Sequence, residues 1–137
     1  MKTAINVTRG LVGITGLIQL ALGIVFWTGH AKTMIPFHMI TGLVFVLALW
    51  KLAGLTARAG APTGLVVTTF VLGLVLPAFG MAHMNLLPGP WHWVIKVTHL
   101  LTGLVAMRLG DLLFRGAKVG SGAPGPRMMG HAPGKVA

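Results

Sequence analysis

The chain has 137 residues, of which 55% are hydrophobic and 9% charged, and it carries eleven basic side chains and one acidic one, Asp111. Soluble domains carry about 25% charged residues, so this composition excludes a water-soluble globule. The bases lie at the ends of apolar runs and do not line one face, so the net charge of +10 does not indicate nucleic-acid binding.

Four apolar runs have the length of a membrane span, which is about 20 residues. They cover residues 10–29, 35–57, 62–82 and 91–114. The first run is too long for the apolar part of a signal peptide, so we expect it to be retained. Short connections join the runs, so neighbouring helices are expected to be antiparallel. The sequence therefore predicts an all-α integral membrane protein, a four-helix bundle over residues 1–115.

The last part of the chain, residues 116–137, differs in composition from the runs before it. It is rich in glycine, proline and alanine and contains several bases. Such a composition cannot bury enough apolar surface to offset the entropy of ordering it. We therefore expect a disordered basic tail.

The basic residues are divided unequally between the two ends of the predicted bundle. Nine lie on one side and only Lys32 and Lys96 on the other. The positive-inside rule makes the richer side cytoplasmic, which predicts a multi-pass protein of the prokaryotic inner membrane with both termini in the cytoplasm. Asp111 lies three residues after Arg108 and four before Arg115, so we expect it to pair with both at the cytoplasmic boundary.

A seven-residue segment occurs twice, each time early in an apolar run. Residues 38–44 read HMITGLV and residues 99–105 read HLLTGLV, so five of seven positions agree. This repeat predicts that the bundle consists of two repeated helical hairpins. Each copy places one histidine, His38 or His99, inside a membrane helix, where an ionisable side chain indicates a functional site.

The two histidines are expected at matching depths. His38 lies 13 residues before Lys51 and His99 lies 12 residues before Asp111, which correspond to roughly 20 and 18 Å along the helices. Two neutral imidazoles that face each other across a bundle can ligate a haem iron or hold a small metal ion. Since the chain has no cysteine, covalent c-type attachment, iron–sulfur clusters and thiolate sites are excluded.

Glycines in the first and third runs favour haem over a bare metal ion. They form two pairs, each with a spacing of seven: Gly16 and Gly23, then Gly73 and Gly80. This spacing puts the members of a pair on one helix face, where a flat macrocycle can lie against the backbone. Close helix packing is the alternative interpretation.

Three polar side chains are placed to support such a cofactor. Lys96 lies one turn outward from His99, where its ammonium group can meet a haem propionate. Thr41 and Thr102 each follow a candidate ligand by three residues. Their hydroxyls are expected to bond a carbonyl one turn back, or a neighbour of the ligand.

With these residues in place, the sequence resembles the four-helix haem core of membrane b-type cytochromes over residues 9–115. In that family the second and fourth helices supply paired histidines, and glycines of the first and third flank the macrocycle. The resemblance implies a non-covalent haem b with His38 and His99 as axial ligands, electron transfer as the function, and a quinol or an extracytoplasmic redox protein as partner. Respiratory members have two histidines per ligand helix. One pair is missing here, so one haem near the extracytoplasmic face is implied.

Other interpretations of the same residues stay open. His30, His83 and His92 are lower-ranked ligands that can equally lie at the headgroup level. Copper is the alternative metal, because histidine and methionine suit Cu(I). Its candidate ligands are Met34, His38, Met39, Met81, His83 and Met84. Gln19 can hydrogen-bond across the bundle or contact a quinone.

A cofactor-free protein is the remaining alternative. Small four-helix membrane proteins of the DoxX type look similar, and the chain can be a structural or assembly subunit of a larger complex or a homo-oligomer. That interpretation explains the size, the apolar runs and the basic tail. It leaves the repeated His-x-x-Thr-Gly-Leu-Val segment unexplained.

Overall fold

The computed structural model describes residues 1–82 and 85–120. Within these residues the chain forms four α-helices: α1 Lys2–Trp27, α2 Ile35–Arg58, α3 Thr63–Ala82 and α4 His92–Gly120. A short 3-10 turn, Lys32–Met34, leads into α2. Each of the four helices is long and apolar enough to cross a membrane. The predicted all-α, four-helix membrane architecture is confirmed.

The helices form an antiparallel bundle in which α2 and α4 lie on a diagonal and run in the same direction. Gln19 near the middle of α1 bonds Thr41 of α2, and the Phe26 ring near the end of α1 packs on His38. Helix α4 also runs antiparallel to α1, since Arg9 near the start of α1 bonds Asp111 near the end of α4. One end of the bundle therefore holds the N-termini of α1 and α3, and we call it the basic end. The opposite end is the histidine end.

The bundle interior is packed tightly in the half nearer the basic end. The histidine half comprises residues 17–27, 35–44, 74–82 and 92–103. We call the remaining part of the four helices the basic half. The side chains of Leu49, Leu52 and Leu113 have no exposed surface. Gly110 of α4 lets α2 come close, since an added Cβ would lie 3.4 Å from Cδ1 of Leu49. In the histidine half, by contrast, the buried side chains among the described residues are Leu76 and Ile95, and both keep some exposed surface, 8% and 9%.

Helix α1 begins earlier than the apolar run that predicted it. It starts at Lys2, whereas the run starts at residue 10. The intervening segment contains no glycine or proline, and its Ile5 and Thr8 are buried against the bundle. Packing therefore extends the helix beyond its apolar centre. At the other end, Gly29 with φ +81° ends the helical path.

Helix α4 continues beyond the point where the sequence predicted a disordered tail. Residues 116–120 are helical, so the expected start of the tail at residue 116 is corrected. Gly116 lies against the α2–α3 connection, where an added Cβ would be 3.0 Å from Cδ of Pro62. Ala117 is 5% exposed. Residues 121–137, the rest of the predicted tail, lie outside the described residues.

Asp111 joins α4 to α1 near the basic end. Its Oδ2 accepts from Arg108 at 3.1 Å and from Arg115 at 2.9 Å, which confirms the predicted pairing. Its Oδ1 accepts from Arg9 of α1 at 3.0 Å, a third partner that the sequence did not reveal. One carboxylate thus bonds three guanidinium groups. Its bond to Arg9 connects α4 with α1 across 102 positions of the sequence.

Candidate functional site

The two repeated histidines both lie in the histidine half. His38 is the fourth residue of α2 and His99 is the eighth of α4. Both side chains are half-buried, and both Nδ1 atoms are enclosed by the protein. A polar ring atom removed from solvent in an apolar bundle carries a desolvation cost, which is why such residues tend to mark functional sites.

Each histidine ring packs against a phenylalanine from the preceding helix of its own hairpin. The Phe26 ring of α1 meets His38 edge-on, with ring centroids 5.3 Å apart and an interplanar angle of 73°. The Phe79 ring of α3 lies 5.7 Å from His99 at 42°. These two aromatics restrict the imidazole orientations. Neither phenylalanine could be predicted from the sequence, because no spacing rule links a residue to a ring on another helix.

The amide of Gln19 binds the backbone of α2 at His38. Its Nε2 donates to the carbonyl oxygen of His38 at 2.8 Å and to Oγ1 of Thr41 at 2.6 Å. The Thr41 hydroxyl in turn donates to the carbonyl of Phe37 at 2.8 Å, with the carbonyl of His38 at 3.2 Å. The predicted hydrogen bond across the bundle is confirmed. Since Nε2 is engaged twice, Gln19 is poorly placed to contact a quinone through that atom.

Thr102, the counterpart of Thr41 in the second repeat, acts only within its own helix. Its hydroxyl donates to the carbonyl of Thr98, one turn back, at 2.7 Å. The adjacent Gly103 has open space where a Cβ would lie, whereas Gly42 is covered by the Gln19 side chain at 3.4 Å. The two copies of the repeat are therefore used differently: the first receives a polar side chain from α1, and the second does not.

The four candidate glycines lie at two different levels of the bundle. Gly80 borders the histidine site, since an added Cβ would lie 3.3 Å from Cε1 of His99. Gly23 lies between Gln19 and Phe26 along α1 and has open space at its Cβ position. Both therefore remain candidates to flank a ligand held by the histidines.

The other two glycines contact large side chains of the basic half. A Cβ on Gly16 would lie 2.9 Å from Cγ of Met107, and a Cβ on Gly73 would collide with the Trp50 indole. Met107 follows His99 by eight residues and Trp50 follows His38 by twelve, which correspond to roughly 12 and 18 Å along the helices. Gly16 and Gly73 thus border the packed side chains of the basic half. The expectation that all four glycines flank one macrocycle stays a prediction, since a spacing of seven preserves the helix face and spans about 10 Å of its length.

The remaining candidates lie at the edge of the site or beyond it. Lys96 is exposed. His30 is exposed, and its Nδ1 hydrogen-bonds Oγ1 of Thr28 at 3.0 Å. His92 donates from Nδ1 to the carbonyl of Leu86 at 3.2 Å. His83 and Met84 lie outside the described residues.

The methionines proposed as copper ligands point away from the interior. Met34, Met39 and Met81 are 40%, 59% and 73% exposed. Within residues 1–82 and 85–120, no three histidine, cysteine, aspartate or glutamate side chains lie together in a way that could hold a metal ion. A metal site built from three or more of these side chains is therefore absent from the described residues.

Comparisons of the chain with protein-family models, with curated proteins and with solved structures find no match. Function must therefore be inferred from the side chains themselves. The histidine half contains two separate contact groups: His38 with the Phe26 ring, and His99 with the Phe79 ring and Gly80. Imidazole nitrogens are donors of the kind that bind a haem iron or a small metal ion.

Proposed function

We propose that this chain is a membrane b-type cytochrome that carries electrons through one haem b, with His38 and His99 as axial ligands. One observation carries the proposal. Two imidazoles with enclosed Nδ1 atoms lie on α2 and α4, in the half of an apolar bundle that has few fully buried side chains of its own. Folded interiors are normally close-packed, so this half is the natural place for a bound group.

The surrounding residues fit a haem. A neutral imidazole can bind iron through one ring nitrogen while its other nitrogen hydrogen-bonds. Gly23 leaves open space beside the backbone of α1, and Gly80 of α3 lies against the His99 ring. Phe26 and Phe79 add aromatic surface that excludes water from the rings. Lys96 lies one turn from His99 towards the histidine end, where its ammonium can pair with a propionate.

The chain's own residues would set the geometry of the ligands. Gln19 holds the His38 carbonyl and the Thr41 hydroxyl, so it fixes α2 relative to α1 at the ligand itself. Phe79 and Gly80 confine the His99 ring. The bound haem would supply one-electron exchange, and two imidazole ligands would leave no open position for oxygen.

The packing of the basic half supports one haem and argues against two. Leu49, Leu52 and Leu113 fill its interior with no exposed surface. Gly16 and Gly73, which could have bordered a second macrocycle, are covered by Met107 and Trp50. A second haem stacked above the first would have to displace this core.

The proposed location is the prokaryotic inner membrane, with the histidine end outward. Lys32 and Lys96 are the bases at that end, whereas the basic end carries most of the others. The haem would then exchange electrons with a quinol or an extracytoplasmic redox protein. Copper is less favoured, since the three candidate methionines among the described residues, Met34, Met39 and Met81, are exposed.

Histidine substitutions test the proposal. The protein is expressed with haem supplied, and its reduced-minus-oxidised visible spectrum is recorded after purification. We expect the bands of a low-spin b haem, their loss in His38→Ala and in His99→Ala, and their retention in His30→Ala and His92→Ala. Those controls remove imidazoles from the same end of the bundle.

Two results would overturn the proposal. A colourless, metal-free wild-type protein would leave the cofactor-free subunit as the function. Haem retention in both His38→Ala and His99→Ala would show that the ligands lie elsewhere.

A further inference from the structure

A cavity at the basic end lies apart from the histidine site. It has a volume of about 250 Å³ and lies between α1 and α4, beside the end of α2. Its polar lining comes from Lys2, Asn6 and Lys118. Its apolar lining includes Ile5 and Ala117, which are 7% and 5% exposed. The cavity thus has an apolar floor and a basic rim.

The aromatic ring of Phe114 concentrates positive charge beside this cavity. The guanidinium carbon of Arg9 lies 4.2 Å from the ring centroid, and Nζ of Lys118 lies 4.5 Å from it. Both distances are within the range of cation–π attraction. Two cations are therefore held near one ring at the rim.

Acidic side chains of the chain cannot neutralise this end. Asp111 is the single acidic side chain in the sequence, and it already accepts hydrogen bonds from Arg9, Arg108 and Arg115. The basic end also carries Lys2. The surplus of positive charge there favours an anion supplied from outside the chain.

A second, more open depression lies along α1 and shares one lining residue with the first. It has a volume of about 390 Å³ and is lined by Asn6, Arg9, Gly10 and Gly13. Asn6 lines both cavities. Gly10 and Gly13 have open space where a Cβ would lie, so they leave a shallow groove that leads from the basic rim towards the middle of the helix.

We propose that these two neighbouring cavities, which share Asn6, bind an anionic phospholipid. Its phosphate would lie at Lys2, Asn6 and Lys118, and an acyl chain would lie along Gly10 and Gly13. Lysine ammonium groups and the Asn6 amide are donors suited to phosphate oxygens. Basic pockets between membrane helices at the cytoplasmic side are the expected sites for such headgroups. The apolar floor of the first cavity, with Ile5 and Ala117, and the membrane-spanning length of α1 favour a lipid over a soluble phosphate compound. This site is independent of the proposed haem.

The test compares two double variants of the full chain in nanodiscs. Lys2→Gln/Lys118→Gln removes two charges from the cavity, and Lys51→Gln/Arg58→Gln removes two charges outside its lining, in the same half of the bundle. Enrichment of labelled phosphatidylglycerol over labelled phosphatidylcholine beside the protein is measured for each. We expect the cavity variant to lose about tenfold in preference and the control to lose less than twofold.

Each other outcome overturns the site. An equal loss in both variants would mean that the general positive field attracts the lipid and no site is built. Unchanged preference in the cavity variant would exclude the site. Displacement of the labelled lipid by millimolar inorganic phosphate at constant ionic strength would assign the cavity to a soluble phosphate compound. The circular dichroism of each variant in the same nanodiscs shows whether it keeps the helical structure of the wild type.

Discussion

The two halves of the bundle are built from similar apolar residues but differ in how those residues are used. In the basic half, α2 and α4 meet through Gly110 and enclose Leu49, Leu52 and Leu113 completely. In the histidine half, aromatic contacts of two imidazoles and a hydrogen bond from Gln19 to the backbone of His38 stand in place of such a core. Stability and ligand binding are thus expected to reside in different halves, and substitutions should separate them.

The largest expected effect is on stability in the basic half. Leu113→Ala removes a fully enclosed side chain of α4, and we expect a loss of about 2–4 kcal/mol in the free energy of unfolding. Leu101→Ala, on the same helix but 54% exposed, is the matched control and should change it by less than about 0.5 kcal/mol. Unfolding in mild detergent is the measurement. Equal losses in the two variants would contradict the division into halves.

A glycine pair provides the next comparison. Gly73→Ala places a methyl group against the Trp50 indole, so we expect a loss of about 1–3 kcal/mol in stability. Gly23→Ala has open space and should leave the stability of the haem-free protein unchanged. If Gly23 flanks the macrocycle, the same variant should weaken haem retention, which titration of haem into the purified protein measures. Normal retention in Gly23→Ala would exclude Gly23 from the site.

The smallest expected effect is that of Gln19. Gln19→Leu removes two hydrogen bonds to α2, which we expect to cost about 1 kcal/mol in stability. Because the bonded carbonyl belongs to His38, the variant should also alter the haem midpoint potential in a redox titration. Thr102→Val is the control, since its hydroxyl bonds only its own helix. A potential that moves equally in both variants would remove any special role from Gln19.

Hydropathy and the spacing of residues along a helix were enough to predict the features that lie within a single helix. The four spans and the pairing of Asp111 with Arg108 and Arg115 follow from hydropathy and from contacts three and four residues apart. The bond from Arg9 to Asp111 could not be predicted, because it depends on the relative height of α1 and α4. Sequence spacing carries no information on that height.

The same limit explains which contacts near the candidate site the sequence did not reveal. The spacing of Gly16 from Gly23 identifies a shared helix face, but the contact with Met107 assigns Gly16 to the basic half. Phe26 and Phe79 contact the histidines through the packing of separate helices. The early start of α1 at Lys2 follows from the burial of Ile5, which a hydropathy window does not register.

The number of haems per chain is the most direct test of the central claim, that one pair of imidazoles in the histidine half holds the cofactor while the basic half is closed. Haem content can be measured in the purified protein as its pyridine complex and divided by the protein concentration from amino-acid analysis. We expect one haem per chain in the wild type and none when both His38 and His99 are replaced by alanine. A wild-type value of zero or two would contradict the account.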